Sequence, residues 1–155
     1  MTDQPGAIDL SARQSFAFFT PVPIRFCDTD KMGHVNNCAI TTFIESGRCD
    51  FVYGLIKAAG AAAEHVDFIL ARLAVDFRRE LHYPGTVEVG TRLTRLGGKS
   101  VSSGYGVFIG DTCYATAECV NVFYDPVGRR SMEPPPALRS LLERERATPG
   151  AVVRS

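Results

Sequence analysis

Only one stretch of this chain carries long helical spacing. Between about Cys38 and Ala63, residues Ile40, Phe43, Ile44, Gly47, Phe51 and Leu55 fall three or four apart and make one apolar stripe. After Glu64 the period drops to two. Ile69, Ala71, Leu73, Val75 and Phe77 alternate with Leu70, Arg72, Ala74, Asp76 and Arg78, which predicts a long strand with one consistently apolar face. A lone helix and several one-sided strands have few ways to hide their apolar faces together. A curved sheet wrapped around the helix is the simplest. Gly47 and Gly54 support this, because each costs an isolated helix about 1 kcal/mol relative to alanine and so points to a closely packed neighbour. Asn36 or Asn37 supplies the N-cap.

The other strands are read the same way. Phe16 to Phe26 is aromatic and β-branched with two prolines, a strand near an edge. Beyond HYPG at 82–85, Val87, Val89, Thr91 and Leu93 begin another, and LGGKS at 96–100 is a glycine turn. Val101–Ile109 and Cys113–Tyr124 are joined by a tight turn at Gly110 and Asp111. DPVGRR at 125–130 is a turn, and a short helix runs from about Ala137 to Glu145 after the prolines at 134–136. Short links imply antiparallel pairing and an α+β class. Residues 1–15 read as a loose N-terminal segment, 16–145 as the domain and 146–155 as a tail. An open sheet edge predicts at least a dimer.

Composition narrows the function. With 155 residues and 45% apolar content there is enough chain for one core. Lys plus Arg and Asp plus Glu balance at 17 each, which leaves no global basic field for nucleic acid or anionic lipid. The N-terminus lacks the pattern of a secretory signal, and no apolar run approaches the roughly 18 residues that cross a bilayer, so a cytoplasmic protein is expected. Five cysteines without a CxxC pair argue against a disulfide framework and a zinc site, and read as reduced core residues.

Chemistry concentrates in FCDTDKMGHVNN, residues 26–37, immediately before the helix. A carboxylate and an imidazole there sit beside free backbone N–H groups that favour a negatively charged oxygen, the arrangement acyl transfer needs. Taken alone, such a junction is most often capping and loop hydrogen bonding. Calcium is excluded, because Met32 and Ala39 stand where an EF-hand requires oxygen ligands. Glu45 and Arg48 read as an ordinary helical ion pair worth about 0.3 kcal/mol. His65 and His82 read as surface or turn residues, and Ser100, Ser102 and Ser103 lack a nucleophile elbow.

Arg25 to Asp30, then Gly33-His34-Val35-Asn36-Asn37 and a helix with Glu45 and Arg48, resembles the hotdog-fold acyl-CoA thioesterases of the 4-hydroxybenzoyl-CoA thioesterase superfamily, in their GHVNN branch. The likeness continues through residues 77–101 and the DPVGRR turn, covering roughly 18–145. It implies a five-stranded antiparallel sheet around one long helix and hydrolysis of an acyl-thioester to free acid and coenzyme A, with no cofactor and no metal. Asp30 matches the family's catalytic carboxylate, as nucleophile or as general base. His34 positions water or the carbonyl, or serves the loop alone. Backbone N–H groups around Asn36 and Asn37 form the oxyanion hole. Lys99 matches a basic position used for the nucleotide phosphates, whereas Gly97 and Gly98 replace arginines there, leaving Arg78, Arg79, Arg92, Arg95 or a partner subunit to contribute. An acyl carrier protein presents the same thioester. The active site is expected at the seam of a homodimer or homotetramer. The main rival is a non-catalytic acyl-thioester binding protein. A hotdog enoyl-CoA hydratase lacks its signature here, and a transcription regulator lacks its helix pair.

Overall fold

In the computed structural model, residues 7–155 are described. Strand β1 (Phe18–Pro23) leads through one 3-10 turn (Phe26–Asp28) to the long helix α1 (Asn37–Ala59). Then come β2 (Asp67–Phe77), β3 (Thr86–Leu96), β4 (Ser100–Ile109), β5 (Thr112–Asp125), the two-residue β6 (Arg130–Ser131) and α2 (Pro136–Ala147). Every pairing is antiparallel, the order across the sheet is β1-β3-β4-β5-β2, and β6 flanks β5. The sheet curls around α1 in the expected hotdog arrangement.

The apolar stripe explains why α1 sits where it does. Ile40, Phe43 and Ile44 pack with Val35, Leu81, Val87, Val89 and Tyr105, while Phe51, Val52 and Leu55 pack with Phe68, Phe123 and Leu138. Each such side chain removed from water contributes about 1.5–3 kcal/mol. Gly47 lets the helix settle onto β3, because a Cβ there would stand 2.5 Å from Val89 Cγ1. Asn36 is the N-cap, its side chain accepting the Cys38 N–H at 2.7 Å.

Strand β2 departs from its expected single apolar face. Its pairing with β5 slips between Leu70 and Arg72, and this bulge inverts the alternation. Phe68 faces the core before the slip, Leu73 and Val75 face it after, and Ile69, Leu70 and Phe77 are exposed. β2 also lies at an edge of the sheet, beside β5 and away from β3, its successor in the chain.

Both ends of the described chain dock. Leu10 and Phe16 cover the outer face of the sheet over Gly90, Gly104 and Gly106, where any Cβ would meet their atoms within 3 Å. Arg13 pairs with Glu88 at 2.8 Å and lies over the Phe19 ring. Residues 1–6 of the segment read as loose lie outside the described residues. After α2, the buried Glu145 carboxylate accepts the N–H groups of Gly150, Val152 and Val153 at 2.6, 2.7 and 3.2 Å, and Val153 is buried. The cysteines are all free, but only Cys113 and Cys119 are buried; Cys27 and Cys38 are exposed, because they fall on the loop and first helical turn rather than in the sheet. Among the described residues no helix is long and apolar enough to cross a membrane.

Candidate active site

The loop before α1 is built around Asp28. This buried carboxylate accepts the Arg25 backbone N–H and guanidinium Nη2, both at 2.7 Å. The hydrogen-bonded guanidinium holds the carboxyl below its ordinary range. Its main-chain carbonyl accepts the Asn36 N–H at 2.8 Å, which fixes the chain on entry to the helix.

Between these points the loop doubles back as a short ribbon. Thr29 pairs with Val35, the Asp30 N–H donates to the His34 carbonyl at 2.9 Å, and the Gly33 N–H donates to the Asp30 carbonyl at 3.0 Å. Gly33 has φ 83°, a conformation side chains disfavour. Residues directly opposite on a ribbon project to one side, and successive pairs alternate. Val35 is buried, so Asp30 and His34 share the outward side. One Asp30 oxygen accepts the Met32 N–H at 2.8 Å; among the described residues the other has no partner.

At the start of α1 the two asparagines part company. The Asn36 N–H is spent on Asp28 and its side chain caps the helix, whereas among the described residues the Asn37 N–H meets no protein acceptor. Asn37 opens onto a surface cavity of about 270 Å³ whose wall also includes His34, Ile40, Arg78, Arg79 and Glu80. The end of β2 thus delivers two arginines to the positive end of a helix, a setting for an anionic or carbonyl oxygen. Asp30 and Asn36, neighbours in the chain of residues that line this cavity, do not form its wall. Lys99 lies in the β3–β4 turn, at the end of the sheet away from Asn37, so within one chain it does not join Arg78 and Arg79.

Glu80, beside the site, escaped the sequence reading, and His82, read as a surface or turn residue, is exposed but lies there too. Glu80 Oε1 is 3.6 Å from His34 Nε2, and its Oε2 is 3.5 Å from His82 Nε2. The two imidazoles meet edge-on at 5.6 Å, and His82 Nδ1 lies 3.3 Å from the Gly33 carbonyl. The signal was available: Glu80 and His82 flank buried Leu81, whose carbonyl accepts the Val35 N–H at 2.7 Å, so a period of two puts both against the loop. These groups do not converge as metal ligands; among the described residues no three His, Cys, Asp or Glu do. Glu45 and Arg48 do pair, at 2.9 Å, but Arg48 is buried rather than a solvated surface charge.

The sequence matches the thioesterase-like superfamily over residues 24–142. No curated protein matches the chain. Among solved structures, the PA5185 protein of Pseudomonas aeruginosa is similar at 26% identity, covering 93% of this chain and 96% of that one with a TM-score of 0.73. A Thermus thermophilus thioesterase complexed with coenzyme A and zinc is similar at 27% identity, covering 86% of this chain and 97% of its own with a TM-score of 0.72. The DHNA-CoA thioesterase of Staphylococcus aureus, at 19% identity, 75% and 79% coverage and a TM-score of 0.65, shares the fold. With the match spanning most of the domain and the helix-in-sheet architecture in place, this chain belongs to the thioesterase-like superfamily.

Proposed function

We propose that this chain hydrolyses an acyl-CoA to the free acid and coenzyme A. One observation carries the reading: Asn37, whose N–H at the head of α1 meets no acceptor among the described residues, lines a cavity shared with His34, Arg78 and Arg79. The thioester oxygen binds at that N–H, where negative charge developing on it is stabilised by about 3 kcal/mol per donor. Asp30 takes a proton from water as the water oxygen bonds to the acyl carbon, or its free oxygen adds directly to give a mixed anhydride that water then opens. In either route the C–S bond breaks and coenzyme A leaves as thiolate, which a thiol pKa near ~8.5 permits without strong acid assistance. His34, with Glu80 behind it, orients the water. Arg78 and Arg79 meet the phosphates, and no cofactor takes part.

A second copy completes this picture. Pro21 and Pro23 blunt the β1 edge of the sheet, whereas the β2 edge is open and carries exposed Ile69, Leu70 and Phe77. Pairing of two β2 strands joins the sheets into a homodimer, or a tetramer built on it, and offers the partner's Lys99 as a further phosphate ligand. A phosphopantetheine arm on an acyl carrier protein fits the same cavity. A second reading, a protein that holds acyl thioesters without cleaving them, draws on the position of Asp30 outside the cavity wall.

The deciding experiment follows thiol release across acyl-CoAs of graded length, with Asp30→Asn as comparison. The proposal expects sustained turnover that falls by about 10²–10⁴ in the variant, with coenzyme A binding and oligomer size preserved. Binding without turnover in the wild type establishes the holding role instead.

A further inference from the structure

The residues of α1 that point back from Asn37 form a graded face. Asn37, Thr41, Ile44 and Arg48 follow at spacings of three and four, so they stack on one side of the helix. Along that side, under β2, lies a second cavity of about 100 Å³. From the helix, Thr41, Ile44, Glu45 and Arg48 line it in that order away from Asn37, so Arg48 marks its far end; Leu70, Leu73 and Cys119 line it from the sheet.

The far end has the wrong chemistry for an apolar chain terminus. Arg48 is 6% exposed, and among the described residues only one of its five N–H groups has an acceptor, the Glu45 carboxylate at 2.9 Å. Beside Cys119, on β4 and β5, the Tyr105 and Ser103 hydroxyls are buried, and so is the Asn121 amide, which among the described residues meets no partner. A methyl group placed there would leave a desolvated guanidinium unsatisfied, whereas an oxygen acceptor restores its hydrogen bonds. Helical side chains lean toward the N-terminus, so the guanidinium covers the turn at Glu45, roughly 12 Å along the axis from the Asn37 N–H at ~1.5 Å per residue.

We infer that the acyl group this protein accepts is a medium-length chain whose distal end carries an oxygen, as hydroxyl, keto or carboxylate, held by the Arg48 guanidinium. Its methylenes lie between Ile44, Leu70 and Leu73, and its thioester oxygen reaches the Asn37 N–H. This rests on the thioesterase reading for the thioester end alone.

The test compares octanoyl-, ω-hydroxyoctanoyl- and suberoyl-CoA. The oxygen-ended substrates are expected to show a kcat/KM at least about tenfold above the plain chain, the scale of one hydrogen bond to a charged group. Arg48→Met keeps the stem and removes the donors, and it should bring the ratio to about one. The wild type favouring octanoyl-CoA, or folded Arg48→Met keeping the oxygen preference, overturns the inference. Glu45→Gln decides the matter if Arg48→Met does not fold: freeing the guanidinium should raise the suberoyl preference further, and an unchanged ratio rejects the site. Melting shifts with free suberic, ω-hydroxyoctanoic and octanoic acids supply a readout without turnover. Selective stabilisation by the oxygen-ended acids in a protein that cleaves no thioester keeps this site and removes the thioesterase reading. Turnover without end-group preference does the reverse.

Discussion

Replacing Gly47 with alanine tests how tightly α1 is seated on the sheet. The new Cβ would lie 2.5 Å from Val89 Cγ1, 3.0 Å from Val89 Cβ and 3.3 Å from Thr91 Oγ1. Rotating the valine moves its methyl away but not its Cβ, which is fixed to the β3 backbone at a fully buried position, so the helix or β3 must shift. Overpacking of this kind costs about 1–3 kcal/mol, and the gain in helix propensity returns about 1 kcal/mol. The net expectation is a loss of up to about 2 kcal/mol, or up to roughly 8 °C in Tm for a domain of this size. Gly54→Ala is the control. Its Cβ meets only Val153 Cγ1 at 3.0 Å, a side-chain end on the docked C-terminal segment that can give way. It should be neutral or stabilising by up to about 1 kcal/mol. Urea denaturation of both variants at equal protein concentration reads the difference, because assembly alters apparent stability. Equal midpoints for the two variants would refute the close seating of the helix on Val89.

Other consequences can be checked directly. Asp28, its pKa depressed by hydrogen bonding to Arg25, contributes stability that is fully present above the unfolded carboxyl pKa near ~3.9 and is lost as pH falls through the lower folded value; acid titration of stability should therefore be shallower for Asp28→Asn. Glu145→Ala removes the acceptor for three backbone N–H groups and should cost about 3 kcal/mol, with hydrogen exchange at Gly150, Val152 and Val153 accelerating before the rest of the domain. Burial pushes the Cys119 thiol up to about 11, so a disulfide reagent at neutral pH should label exposed Cys27 and Cys38 and spare Cys119, as mass spectrometry of the peptides would show. Glu80→Gln should lower kcat by about threefold to tenfold and alter its pH profile while leaving KM near the wild-type value, and Glu80→Asp should restore part of the rate.

Element types were legible because each stands on a local period. The stripe from Ile40 to Leu55 and the alternation from Val87 onward need no knowledge of partners, and an asparagine at 36 or 37 declares the helix start by side-chain chemistry. Pairing is a different matter. Nothing near Leu70 announces the bulge, since it arises where β2 meets β5, some 50 residues later in the chain. The same separation hid the burial of Arg48, which borders one cavity with Leu70, Leu73 and Cys119. At the site, the FCDTDKMGHVNN signature marked the loop, but the arginines and Glu80 reach it only because β2 ends beside the head of α1. The division between Asn36 and Asn37 was invisible too, as it turns on one carbonyl of Asp28.

Gly90, Gly104 and Gly106 leave a trough in the back of the sheet, and Leu10 and Phe16, from roughly 75–95 positions upstream, fill it beside Phe108, whose ring lies over Gly106. The chain therefore upholsters its own rear surface before any neighbour can. Stripped of residues 7 to 16, the same sheet would present a bare, ring-sized furrow bordered by Phe19 and Phe108, and a foreign segment with two apolar side chains at matching spacing would find a ready-made berth there.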